Sequence, residues 1–166
     1  NPELHRLIQL RSLFGLRSCA NSLARMLNPS NARHSVHGVF HRHFDERHVE
    51  VAEALKDVNV HCFRGDGGEI EVNPEREVVL FSNTDQGREK PYFPALLEKC
   101  QIKPVSLDPV YMRDVWCGAE DVYGEAAVTG TLAVFLNVLE DLSPEEALGK
   151  AEYLWKNRDR EFPNYG

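Results

Sequence analysis

The sequence predicts an α/β fold, a mainly parallel sheet with flanking helices, and three observations carry that prediction. A short β-type run over 35–40 and an apolar run over 58–63 bracket a helical pattern, which is the signature of a β-α-β crossover. A glycine-rich turn, Arg64-Gly65-Asp66-Gly67-Gly68, follows the second run, where open parallel sheets place ligands. Two long helical patterns close the chain over 123–157. The 166 residues fit one domain, and 42% hydrophobic content suits an ordinary packed core. Three parts are expected: a helical corner over 1–29, a β/α core over 35–110 and two C-terminal helices over 123–157.

In chain order, Asn1 can cap and Pro2 can open a first helix whose apolar stripe is Leu4, Leu7 and Ile8. The next position on that stripe is Arg11, a charge where an aliphatic residue is expected. Gly15 is fit to end this helix left-handed, and Ser18 to cap a second one running to Asn28-Pro29. Ser18, Asn21, Ser22 and Arg25 share one face of it, with Ala20, Leu23, Ala24 and Leu27 opposite. After a polar loop over 30–34 comes the strand 35–40, then a helix from Glu46 to Lys56 capped by Asp45, with Val49, Ala52 and Leu55 inward. Val58–Phe63 is a buried strand and Arg76–Ser82 another; Asn83–Tyr92 reads as a mobile polar loop, Phe93–Cys100 as a short helix and Pro104–Leu107 as a short strand. The longest helix follows Tyr123, with Ala127, Leu132, Phe135, Leu136 and Leu139 as core. Ser143-Pro144-Glu145-Glu146 is a capping box that opens a last helix through Ala147, Leu148, Ala151, Leu154 and Trp155; the tail 157–166 is polar.

The net charge of −7 conceals an asymmetry: residues 1–44 hold six arginines, one glutamate and five of the seven histidines, so this part is +5 and the remainder −12. A basic segment on an acidic chain points to an anionic partner, either a phosphate-bearing small molecule or nucleic acid, unless the arginines only cover a solvated face. Arg6, Arg17, Arg25 and Arg33 are the candidate phosphate- or nucleic-acid-binding residues, although Arg17 also reads as a structural corner residue. His41-x-His43 with His48 invites a metal reading, but no Cys or carboxylate completes a recognised ligand spacing, and no nucleophile elbow, Walker loop or zinc pattern occurs. The cysteines at 19, 62, 100 and 117 lack C-x-x-C pairing and read as reduced core residues. No run of about 20 apolar residues stands out as a membrane span, and the N-terminus has no signal-peptide core, so a cytoplasmic location is expected.

Arg11, Gly15, Arg17, Asn21, Leu23, Asn28 and Pro29 stand at the spacing of a pattern made of an arginine, a Gly-x-Arg-Thr corner, an Asn, a Leu and a closing Asn-Pro. With this stretch and the Gly38-Val39-Phe40 strand, the chain resembles the second half of anthranilate phosphoribosyltransferases and other members of glycosyltransferase family 3, which include pyrimidine nucleoside phosphorylases. Ser18 replaces the Thr, and Ala24-Arg25 replaces a Gly-Pro pair, which marks a diverged branch outside the tryptophan pathway. The resemblance implies the nucleoside phosphorylase and phosphoribosyltransferase catalytic domain, truncated on its N-terminal side, within a longer homodimeric parent. Phosphoribosyl diphosphate and magnesium would be held mostly by the other half, leaving this fragment inactive alone. It also implies that Arg11 contacts the acceptor substrate, a role suited to a bidentate guanidinium, against the alternative of an arginine paired structurally between helices. The family's Asp-Gly-Leu-Asp-Glu loop, whose last two carboxylates hold magnesium, aligns on Asp66-Gly67 so that Asp falls on Glu69 and Glu on Ile70. Half of the metal pair is therefore missing, and Glu71 replaces it only with a shifted backbone. Two functions stay open: phosphoribosyl or glycosyl transfer by the intact parent, or non-specific binding of single- or double-stranded nucleic acid by a family member that has lost the chemistry.

Overall fold

A computed structural model describes residues 2–15, 23–98 and 108–161. Helix α1, Pro2–Phe14, ends at Gly15, whose φ of 67° is the expected left-handed stop. None of the described α1 residues is buried, and Leu7 lies exposed on the intended stripe. Residues 23–25 are helical; the rest of the expected second helix, including Arg17 and Ser18, lies outside the described residues.

The β-α-β unit forms as expected. Strand β1, Ser35–Val39, leads through helix α2, Phe44–Leu55, into β2, Val60–Arg64, and the two strands pair in parallel from Ser35 opposite Val60 to Val39 opposite Arg64. Asp45 does not cap α2. The N-cap position is His43, left-handed at φ 68°, and Asp45 sits buried in the first turn, its carboxylate accepting from the Glu46 N–H. Leu55, expected inward, is exposed at the end of the helix, where the chain has already turned left-handed at Lys56.

The expectation of a mainly parallel sheet is corrected. Beyond β2 the chain forms β3, Val78–Val79; β4, Phe81–Thr84; β5, Gly87–Glu89; and β6, Tyr92–Phe93. The larger sheet has the order β1-β2-β4-β5, with β2-β4 and β4-β5 antiparallel, and β3 pairs antiparallel with β6 in a second sheet. One parallel pair against two antiparallel pairs makes it a mixed sheet. The physical reason is that no crossover helix separates β2, β4 and β5: the tight Asp85-Gln86 turn can return the chain only antiparallel. Thus 83–92 is a hairpin and a strand rather than a loop, and described residues 93–98 hold no helix; the expected strand 104–107 lies outside the described residues.

Helices α3, Pro109–Cys117, α4, Val122–Glu140, and α5, Pro144–Lys156, complete the chain. The sequence-based expectations do not include α3, although Asp108 caps it by accepting from the Val110 N–H and Gly118 ends it. α5 opens on the expected capping box, in which Ser143 and Glu146 satisfy each other's backbone N–H. Strand β2 shows how the layers meet, because alternate side chains leave on opposite faces. Cys62 joins Val39 and Val49 of α2 in a small core, whereas Phe63 joins Leu80, Ala133, Val134 and Ala147 in the main core against α4 and α5. Helices thus cover a small sheet on both faces. By length and composition alone α4 could cross a bilayer, but Ala133 and Val134 on it are fully buried in this core; Leu139, expected inward, is exposed. Cys62 is buried and free and Cys117 exposed and free; Cys19 and Cys100 lie outside the described residues.

Candidate functional site

Parallel pairing brings the C-terminal ends of β1 and β2 side by side, and the glycine turn folds over them. The Gly65 N–H donates to the Val39 carbonyl at 3.0 Å, Asp66 N–H to the Glu71 carbonyl at 2.7 Å, and Glu69 N–H to the Asp66 carbonyl at 2.9 Å. The turn lies so close to the strands that a Cβ on Gly38 would stand 2.2 Å from the Glu69 carbonyl oxygen, and one on Gly65 only 1.7 Å from it. Glycine at both positions is therefore a packing requirement.

Four arginines gather around these strand ends. Arg25 Nη1 donates to the carbonyls of Gly38 at 3.1 Å and Gly68 at 3.3 Å, tying the strand to the turn. Arg64, the last residue of β2, donates from Nε to the Phe40 carbonyl at 3.2 Å. Arg76 donates to the Gly65 carbonyl at 3.2 Å and lies 3.7 Å from the Asp66 carboxylate. Exposed Arg42 comes from the loop after β1. Burial holds the Arg76 guanidinium below its usual value, with the charges of Arg64 and Arg42 pushing the same way, and its Nε is buried without a partner. Such a concentration of positive charge beside backbone amides at the end of a parallel pair can hold phosphate oxygens. Of these four, the sequence singles out only Arg25. Arg42, Arg64 and Arg76 escape a reading of the sequence because they are far apart in the chain, although each flanks or ends a strand or the glycine turn.

The remaining predicted residues distribute elsewhere. Arg6 is exposed on α1; Arg11 lies in α1 with its side chain outside the described set. Arg33 lines a cleft of about 250 Å³ at the opposite end of β1. There His34 Nδ1 lies 3.3 Å from His61 Nε2, and His61 Nδ1 lies 2.9 Å from Ser82 Oγ. Burial, then the neighbours His34 and His37, lowers the His61 imidazole to about 4. Ser82 is buried, so this chain of partners satisfies buried polar groups and offers no accessible nucleophile.

Glu69 is exposed at the mouth of the arginine cluster, but Ile70 stands beside it and Glu71 is exposed without joining it. Among the described residues no three Cys, His, Asp or Glu side chains converge as a metal set. His41 packs on Phe40 and Phe44, while His48 turns inward with Nδ1 at 2.7 Å from the Phe44 carbonyl, so the His41-x-His43 and His48 group is not assembled. The carboxylates near these guanidinium groups are the exposed Glu69 and Asp66, which already faces Arg76 and Asn73, so no pair of carboxylates is gathered there for a resident magnesium ion. The arginine cluster does fit a phosphate group.

No family model matches the chain. Over 79 residues it is 32% identical to an uncharacterized protein of Aquifex aeolicus (strain VF5), a match that takes in 48% of this chain and 26% of that protein. The chain thus spans about a quarter of the length of the relative it matches.

Proposed function

We propose that this chain is the C-terminal part of a glycosyltransferase-family-3-type domain that binds nucleic acid without sequence preference, through its phosphates, and has lost transfer chemistry. The observation that carries the reading is the gathering of Arg25, Arg42, Arg64 and Arg76 at the strand ends; the loss of transfer chemistry follows from the family resemblance, which puts Ile70 where the second carboxylate would stand. Phosphate contacts of this kind release counterions and need no metal. A cytoplasmic protein, homodimeric in its intact form, accords with this reading. The test is fluorescence anisotropy of a labelled single-stranded oligonucleotide across a salt series. Binding is expected to weaken with a log–log slope set by the number of phosphate contacts, and Arg42→Gln with Arg64→Gln is expected to flatten that slope by roughly 0.7 for each contact removed. Absence of binding at low salt overturns the reading.

A second reading, phosphoribosyl or glycosyl transfer by an intact parent, is favoured by the exposure of Glu69 near Arg25, where a substrate phosphate would lie. Arg11 would then orient the acceptor. Turnover of phosphoribosyl diphosphate by the full-length parent, abolished by Glu69→Gln, would establish it.

A further inference from the structure

Between β1 and α2 the chain carries a row of aromatic rings. Phe40 and His41 meet edge-on, with ring centres 5.1 Å apart at 86°, and His41 and Phe44 meet at a tilt, 5.9 Å apart at 54°. The row is closed by a tight turn in which the Phe44 N–H donates to the His41 carbonyl at 3.3 Å. Phe40 stays 56% exposed and Phe44 45%, and His41 is exposed with them. Apolar side chains exposed singly are ordinary on a protein surface, whereas rings in contact with one another make a continuous patch held against water. Neither contact is a parallel stack, so the rings leave surface open to a flat partner. This patch adjoins the arginine cluster. Arg42 lies in the same turn and is exposed, and Arg64 Nε donates to the Phe40 carbonyl at 3.2 Å. Gly68 of the glycine turn, whose carbonyl accepts from Arg25, lies so close that a Cβ on it would stand 3.1 Å from the Phe40 Cβ.

We propose that Phe40, His41 and Phe44 form a platform on which the unpaired bases of a single nucleic-acid strand stack, while Arg42 and Arg64 beside them hold its phosphates. Each nucleotide joins a flat, weakly polar base to an anionic phosphate, and an aromatic patch bordered by guanidinium groups matches both parts. Every base has such a face, so stacking adds affinity without selecting a sequence. In a duplex the faces are stacked on one another and only base edges are open, so a duplex can use the arginines but not the rings. An apolar peptide would cover the rings but leave Arg42 and Arg64 without counter-charge, whereas a nucleic-acid strand satisfies rings and cations together. This deepens the nucleic-acid reading and rests on it: the arginines supply the salt-dependent attraction, and the rings add affinity that only single strands can use.

The experiment uses the 166-residue chain. Labelled oligo-dT, an abasic oligomer with the same phosphates, and an oligo-dA·dT duplex of equal length are titrated by anisotropy across a salt series. Oligo-dT is expected to bind about tenfold tighter than the abasic oligomer. Phe40→Ala, at an exposed position, is expected to weaken oligo-dT binding by about tenfold, to leave the abasic oligomer and the duplex unchanged, and to keep the salt slope, because no phosphate contact is removed. Phe40→Trp, which restores a stacking ring, is expected to hold oligo-dT within about twofold of wild type. Equal binding of oligo-dT and the abasic oligomer, or a Phe40→Ala loss shared by all the ligands, overturns the platform and leaves the phosphate reading standing. If none of the ligands binds at low salt, both fall.

Discussion

Acid should weaken this fold most directly through His61. Its ring is 4% exposed, and burial, reinforced by His34 and His37, moves it from 6.5 to about 4. An unfolded chain titrates the same ring at its ordinary value. Between those two values the unfolded state therefore binds a proton that the native state refuses, and acidification favours unfolding. Stability from this group is complete above the unfolded value, declines as pH falls through the window, and stops declining below the native value. A displacement of this size corresponds to about 3 kcal/mol, a large part of a small domain's margin. Urea denaturation near pH 7.5 and near pH 4.5, on wild type and His61→Asn, isolates the contribution, since Asn keeps a polar partner for Ser82 but cannot titrate. Wild type is expected to lose about 2 to 3 kcal/mol more than the variant between the two conditions. Equal losses would refute the reasoning, because the pH dependence would then belong to other groups.

Two further outcomes follow from packing. Gly65→Ala places a methyl group into the Glu69 carbonyl, 1.7 Å away, so a thermal melt should show a loss of about 3 kcal/mol; a neutral result would mean that the turn can lift freely. Arg158 lies 3.6 Å over the Trp155 ring and donates to the carbonyls of Val115, Trp116 and Trp155, which ties α3 to α5. Arg158→Lys removes the fork and should cost about 2 kcal/mol in urea denaturation followed by tryptophan fluorescence, and full retention of stability would contradict the clamp.

Features governed by short-range chemistry are legible in the sequence itself. The capping box at Ser143 and Glu146, the stop at Gly15 and the β-α-β run each depend on neighbours within a few residues, and each stands where expected. What escapes depends on distant partners. β5 is exposed at every residue, so it carries no alternation to distinguish it from a loop. The run Val78–Thr84 is apolar enough for one strand, and nothing in its pattern reveals that the chain changes sheets at Leu80. His43 takes the cap position from Asp45, entering α2 left-handed and without a side-chain cap bond, which the local preference for Asp at a cap does not foretell. At the candidate site, Arg25 is singled out as one arginine of the basic first segment and Glu69 only through the family resemblance, whereas Arg42, Arg64 and Arg76 become neighbours only through the fold.

The crossing at Leu80 has a mechanical meaning. Its side chain is fully buried, its N–H donates to the Pro91 carbonyl at 2.9 Å, and the residues flanking it belong to different sheets. Leu80 alone separates the two sheets along the chain, so a tilt of one sheet strains the backbone at this residue. An insert is best tolerated at the exposed 85–86 hairpin tip, while the same change at buried Leu80 would part the two sheets.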